Sequence, residues 1–232
     1  MRRRSFLRDQ GLSIFFLLLF LGSLTGQAIA GHKLYNEEEI THASLMHQQP
    51  DTISFWRYLV SSDFGNAVLE NWQSEYLQFT TFLLATIWFI QRGSTQSKEP
   101  SDAGLESDEA QHVGRYATED SPLWARVGGW RRHVYSNSLL ILMGTIWIAC
   151  WVVQSLTGWS DYNSQQLSHG EHTISWLQYL GSADFWEATL QNWQSEFLAV
   201  GSMAVFSIYL RQRGSPQSKP VGAAHADTAI EG

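Results

Sequence analysis

Long apolar runs alternate with polar segments along the chain. Residues 11–30 (GLSIFFLLLFLGSLTGQAIA) and 138–157 (SLLILMGTIWIACWVVQSLT) contain no charged side chain, and each is as long as the roughly twenty residues that a helix needs to cross a bilayer. Two shorter apolar runs, 76–90 and 197–210, end in the basic segments QRGSTQSK and RQRGSPQSK. A basic end is typical of the cytoplasmic end of a transmembrane helix. The pattern therefore predicts an all-α membrane protein with four transmembrane helices.

The chain also contains an internal repeat, which changes how these helices are grouped. A shift of 121 positions lays residues 52–98 over 173–219 without a gap, with about half of the positions identical. Further upstream, a shift of 127 positions places Gln27 on Gln154. Each copy then holds a long span, a polar loop and a short span with a basic end. Because each copy has an even number of spans, we expect two parallel two-helix repeats related by an axis along the membrane normal.

Composition divides the chain into four segments. The first repeat covers residues 1–98 and the second covers 131–219. Between them, 99–130 is rich in Ser, Asp, Glu and Gly at its start, which predicts a flexible cytoplasmic linker. Residues 220–232 have a similar polar composition, and we expect a disordered cytoplasmic tail.

Basic residues determine the expected orientation. Lysines and arginines precede the first apolar run, lie between the second and third runs, and follow the fourth, whereas the other two loops contain only Lys33 and Arg57. Positive charge marks the cytoplasmic side of membrane helices. Both termini and the linker are therefore predicted to be cytoplasmic, in a multi-pass protein whose two long polar loops face outward.

The N-terminal segment has two further interpretations. The tripeptide Ala28-Ile29-Ala30 has the small-x-small form of a signal-peptidase site. Arginines at the start of the chain also resemble a twin-arginine export signal. The apolar stretch is longer than that of a usual signal peptide, and its counterpart in the second copy is internal. These features favour a retained first helix, while cleavage stays an open alternative.

The pentapeptide NWQSE occurs at 71–75 and again at 192–196, at the start of each short apolar run. Four positions along a helix return to the same face, so the asparagine and glutamate of each motif form a polar pair, whereas tryptophan suits the headgroup level. We therefore expect Trp72 and Trp193 to be interfacial anchors. The polar pairs should point into the bundle, with glutamines of the long spans as partners, which gives a candidate intramembrane polar site of Gln27, Asn71, Glu75, Gln154, Asn192 and Glu196.

This polar site has two interpretations. The side chains could form interhelical hydrogen bonds that hold the bundle together. Alternatively, Glu75 and Glu196 could line an outward-facing cavity for an ion or small solute, because carboxylates within a membrane are functional candidates. The spans contain no deeper acidic residue, so a full relay across the membrane is not visible. The structural interpretation is favoured.

The polar loops carry helix-capping signals. Asp63 and Asp184 are good N-cap residues for the short spans, so each helix should begin well before its apolar run. Asn36 and Asn163 are each followed three residues later by Glu or Gln. This is capping-box spacing, and we expect each outer loop to open with a short surface helix.

Little in the sequence indicates catalysis or a cofactor. His42, His169 and His172 are weak candidates for metal ligands, but their spacing fits no zinc class, and solvated loop histidines are the favoured interpretation. Nucleophile elbows, phosphate loops and metalloprotease helices are absent from the sequence, so we expect no enzyme activity and no cofactor. The net charge is −7 and the basic residues are scattered, which gives no support for nucleic-acid binding.

The segments GQAIAGHKLYN, NWQSE and QRGS followed by QSK together resemble a family of bacterial integral membrane proteins that carries only a domain-of-unknown-function label. The resemblance covers nearly all of the chain outside the linker and tail. It implies a location in the bacterial inner membrane and supplies no catalytic residues. We therefore expect a structural or accessory membrane protein, with the lipid bilayer and a second copy or another membrane protein as partners. A small channel or transporter is the alternative.

Overall fold

The computed structural model describes residues 6–231, and in that range the chain is all-helical, without a strand. Arg2, Arg3 and Arg4, which contribute to the expected orientation, lie outside the described residues. In chain order the helices are α1 Phe6–Asp9, α2 Gly11–Met46, α3 Phe55–Tyr58, α4 Ser62–Trp88, α5 Leu123–Arg126, α6 Trp130–Ser136, α7 Ser138–Ser168, α8 Trp176–Leu180 and α9 Ala183–Tyr209.

Two helices are long and apolar enough to cross a membrane. These are α2 and α7, with 36 and 31 residues and a mean hydropathy of 2.0 in their most apolar windows. One or two such helices are weak evidence by themselves, because a signal sequence or a buried core helix has the same length and composition. The helices nevertheless favour membrane association.

Both long helices continue past their apolar runs, so the prediction of separate short helices opening at Asn36 and Asn163 is wrong. The two asparagines instead hold the returning chain. Asn36 accepts a hydrogen bond from the Ile53 N–H at 2.9 Å and donates to the Ile53 carbonyl at 3.1 Å. Asn163 makes the same pair of bonds with Ile174, at 2.9 and 3.0 Å. The short helices of the loops are α3 and α8, which begin only after these contacts.

Helices α4 and α9 begin well before their apolar runs, as expected, but their caps differ from the prediction. Ser61 and Ser182 are the N-caps, and their hydroxyls accept hydrogen bonds from the N–H groups three residues later at 3.2 Å. Asp63 and Asp184 lie in the first turn instead, where a carboxylate suits the positive end of the helix dipole. Helices α4 and α9 each have 27 residues, and their bounds differ by the repeat shift of 121.

Helix α4 packs antiparallel against α7, and we call their shared interface the α4–α7 seam. Glycines allow the close approach: a Cβ on Gly65 would lie 3.1 Å from Cγ2 of Thr157, and one on Gly144 would lie 3.7 Å from Cγ2 of Thr80. Both helices contain buried side chains, among them Val68, Ser74, Leu77 and Thr80 on α4 and Cys150, Gln154 and Ser155 on α7. The long helix of the second copy therefore lies against the short helix of the first.

Aromatic side chains join α9 to the same core. The Trp151 ring of α7 stacks on Phe185 with centroids 6.1 Å apart and lies 5.7 Å from the Trp193 ring. Aromatic pairs at this separation add stabilisation beyond their buried area. Trp193 also donates from Nε1 to Oε1 of Gln73 on α4 at 2.8 Å, so α4, α7 and α9 form one packed group.

The QRGS segments fold into matching turns. The Gln91 N–H donates to Oγ of Ser97 at 2.9 Å, and the Gln212 N–H donates to Oγ of Ser218 at 2.8 Å. The glycine of each turn has a φ near +85°, at +86° for Gly93 and +84° for Gly214, a region that glycine adopts without steric cost.

The chain after Lys219, for which composition predicts disorder, contacts the turn that follows α4 and the last turn of α9. Nζ of the buried Lys219 donates to the carbonyls of Ala224, His225 and Asp227 at 2.8 to 3.2 Å. The Gly93 N–H donates to Oγ1 of Thr228 at 2.9 Å. The repeated lysine therefore organises the segment that follows it.

Candidate functional site

A cavity of about 620 Å³ lies between α2 and α4, with one residue of α7 in its wall. Its polar lining is Ser23, Gln27, Asn71 and Glu75, and its apolar and aromatic lining is Phe20, Leu24, Trp72, Tyr76, Phe79 and Met143. The structure thus brings together the three site residues expected in the first copy, beside their expected anchor Trp72. A carboxylate and two amides on an otherwise apolar wall could orient a small polar or amphiphilic molecule.

Asn71 and Glu75 do not point into the buried bundle as expected. Both are exposed, and Asn71 donates from Nδ2 to the Ala67 carbonyl of its own helix at 2.9 Å. The buried stripe of α4 contains Gln73 and Leu77 instead. Successive positions of a helix turn by about 100°. When Gln73 and Leu77 face the buried side of α4, Asn71 and Glu75 therefore face the cavity.

The second copy is arranged differently. Gln154 is fully buried in the α4–α7 seam, whereas Asn192 and Glu196 are half-buried on α9. The Glu196 carbonyl accepts a hydrogen bond from Nε2 of Gln78 at 3.4 Å, and the Glu75 and Glu196 carboxylates are near enough to repel each other. The six candidate residues therefore lie in three places: the three of the first copy line the cavity, Gln154 lies in the α4–α7 seam, and Asn192 and Glu196 lie on α9.

The side chain that adjoins Gln154 is Glu70, which sequence reasoning did not select. Nδ2 of Asn66 donates to Oε1 of Glu70 at 2.8 Å. Asn66 and Glu70 are four positions apart on α4, so they share the helix face that meets α7. This spacing was a usable signal, but it lies just before the more conspicuous NWQSE motif.

Four acidic side chains lie near one another beyond the end of the apolar run of α7, and we call them the acidic layer: Asp63, Glu70, Asp161 and Asp184. Burial raises the pKa of Asp161 to about 6, the charges of Asp63, Asp184 and Glu70 act in the same direction, and a hydrogen bond from Gln165 opposes them. Within residues 6–231, the ion pairs join Lys33 to Glu37, Lys98 to Glu106 and Arg132 to Asp108. None of these pairs includes a residue of the acidic layer, so the layer holds excess negative charge.

The histidines are only partly brought together. The rings of His42 and His169 lie 6.0 Å apart at the ends of α2 and α7, while His172 is exposed in the loop before α8. In the part of the chain that the structure describes, no group of three or more His, Cys, Asp or Glu side chains could hold a metal ion.

These features define a helical protein with two helices apolar enough to cross a membrane. The sequence model of one protein family, the domain of unknown function DUF6766, matches residues 3–230. The chain therefore belongs to the DUF6766 family. Searches of curated proteins and of solved structures each gave no match.

Proposed function

We propose that this chain is a four-span protein of the bacterial inner membrane, built from two parallel two-helix repeats, with both termini and the linker in the cytoplasm. Exposed apolar side chains on the short helices support the four spans. Those of α4 include Phe79, Leu84 and Trp88, and those of α9 include Leu198, Met203 and Phe206. A helix of 27 residues is about 40 Å long and exceeds the hydrocarbon thickness of a bilayer.

This topology has a direct test. We expect an impermeant maleimide to label Ser168→Cys, near the outer end of α7, in intact spheroplasts. Ser107→Cys, in the linker, should be labelled only after permeabilisation. Both side chains are exposed, and Cys150, the single cysteine, is first replaced by alanine. Labelling of Ser107→Cys from outside would contradict the proposed orientation.

The proposed role is structural or accessory: the NWQSE motifs hold the helices of the two copies together. The hydrogen bond from Trp193 to Gln73 carries this proposal, because it joins the second motif to the first across α9 and α4 at 2.8 Å. Polar contacts of this kind give membrane helices a defined neighbour, each worth on the order of 1 kcal/mol.

The cavity lined by Gln27, Asn71 and Glu75 favours a second candidate, a small channel or transporter. Among the described residues Glu75 belongs to no ion pair, and a carboxylate in such a cavity is the feature that a solute site would need. Under this proposal, Glu75 and Glu196 would serve a transported ion or solute.

One experiment separates the two roles. With a structural role, we expect no ion flux in proteoliposomes, and Trp193→Phe should lower the free energy of unfolding by about 1 kcal/mol because Gln73 loses its donor. Trp72→Phe is the matched control, since it makes the same change at the equivalent position of the first copy. Flux that disappears in the Glu75→Gln, Glu196→Gln double variant, with folding retained, would instead establish the transport role.

A further inference from the structure

The α4–α7 seam contains buried polar atoms that the protein leaves without hydrogen bonds. Gln154 is completely buried, and its Oε1 has no hydrogen-bond partner within residues 6–231. Oδ1 of Asn66, across the seam, is also buried and unpaired within that range. Buried polar atoms without partners destabilise a fold. Two amide oxygens directed into the same interface therefore indicate that something else occupies their lone pairs.

Glu70 supplies a negative charge at the same place. Its carboxylate adjoins the Gln154 side chain and accepts the hydrogen bond from Nδ2 of Asn66 at 2.8 Å. That bond uses the donor of Asn66 and leaves its oxygen free to bind elsewhere. Among the ion pairs of the described chain, none includes Glu70. The seam thus combines one carboxylate with two neutral oxygen acceptors.

The surrounding charge favours a cation. Asp161, Asp184 and Glu187 lie near enough to Glu70 to interact with it electrostatically. A group of like charges in a partly buried site raises the local concentration of counter-ions. A cation could reach the seam from this acidic layer without crossing the apolar part of the bundle.

The two copies differ at the residues of this site. At the repeat shifts of 121 and 127, Glu70 corresponds to Gln191, Asn66 to Glu187 and Asp161 to Leu34, while Gln154 corresponds to Gln27. Gln27, unlike Gln154, is exposed. The carboxylate, the amide acceptor and the buried glutamine therefore meet at one place only.

We propose that the α4–α7 seam binds a small monovalent cation, sodium being the probe, through the Glu70 carboxylate and the side-chain oxygens of Asn66 and Gln154. Oxygen ligands suit hard cations. One carboxylate with two neutral oxygens balances a single positive charge, whereas calcium sites generally use several carboxylates. The bound ion fixes α4 against α7, which adds a ligand to the proposed structural role and requires no transport.

The test measures the thermal unfolding of the full chain in detergent at pH 7.5, followed by tryptophan fluorescence. Sodium chloride is compared with choline chloride at equal ionic strength. At about ten times its dissociation constant, sodium should raise Tm by about 4 °C over choline. Glu70→Gln should remove this difference, and the exposed Glu171→Gln, with the same change of charge, should keep it.

Gln154→Leu separates ion binding from folding. Because Oε1 of Gln154 is buried without a partner in the described chain, this variant should fold in choline about as stably as the parent, yet lose the sodium response. Three results would overturn the proposal: an equal effect of choline and sodium, a sodium response that survives in Glu70→Gln, or a Glu70-dependent response to calcium or magnesium alone. If transport is detected while the sodium response is absent, only the cation site fails.

Discussion

Gly158→Val is expected to lower the free energy of unfolding by about 2 to 3 kcal/mol, as overpacking of a tight interface does. A Cβ at this position would collide with Oη of Tyr179 and lie 2.9 Å from Oδ1 of Asn66. Tyr179 is only 2% exposed, and its ring packs between Tyr162 and Phe185. Neither neighbour of Gly158 can therefore move away without disturbing the packing of α8 or α4 against α7.

Unfolding of the variant is measured by titrating sodium dodecyl sulfate into mild detergent micelles. Gly22→Val is the matched control, because no atom lies within 4 Å of a Cβ at that position of α2. Tyr179→Phe removes the colliding hydroxyl and should restore part of the stability that Gly158→Val loses. Equal destabilisation by Gly158→Val and Gly22→Val would mean that the close approach is not what holds α8 to α7.

Asp161→Asn is expected to stabilise the protein at pH 7.5 by about 2 kcal/mol and to flatten its stability between about pH 4 and pH 6. The pKa of Asp161 is raised from 3.8 to about 6 by burial first, and then by the charges of Asp63 and Asp184. In this window the folded protein holds a proton that the unfolded chain has lost. Stability therefore falls as pH rises through the window, and at neutral pH the charged Asp161 carboxylate lowers the free energy of unfolding by its full amount.

Chemical unfolding of both proteins in choline buffer at pH 4.5, 6.0 and 7.5 measures this difference. Asp120→Asn, in the exposed linker, controls for the loss of one charge. The other acidic groups titrate in both proteins, so the difference between the two curves reports Asp161. A variant that is less stable than the parent at pH 7.5 would show that the charged form of Asp161 has a favourable partner.

The local elements could largely be predicted from the sequence. The apolar runs of α2 and α7 and the early start of α4 and α9 follow from residue type and spacing alone. Residue type predicts the helix caps two residues too late, because serine and aspartate are equally good N-caps and only the backbone shows that Ser61 and Ser182 are extended. Asn36 and Asn163 also carry capping-box spacing, but they bind a distant backbone segment instead.

The candidate site was predicted in part. The spacing of Asn71 and Glu75 identified their common face, and the structure places both beside Gln27 at one cavity. Periodicity cannot say which helix a face will meet, so the same reasoning failed to connect Gln154 with Glu70. Residue type also cannot show that the Trp193 N–H donates to Gln73, because the partner of a tryptophan N–H depends on which helix packs beside it.

The sequence by itself determined the helical class, the duplicated motifs and two helices long and apolar enough to cross a membrane, because these depend on properties of neighbouring residues. Only the tertiary structure decided that α7 of the second copy packs on α4 of the first. That pairing buries Gln154 and leaves the equivalent Gln27 exposed. The physical reason is packing: Gly65, Gly144 and Gly158 permit the close approach of these two helices, and burial then gives identical side chains different chemistry.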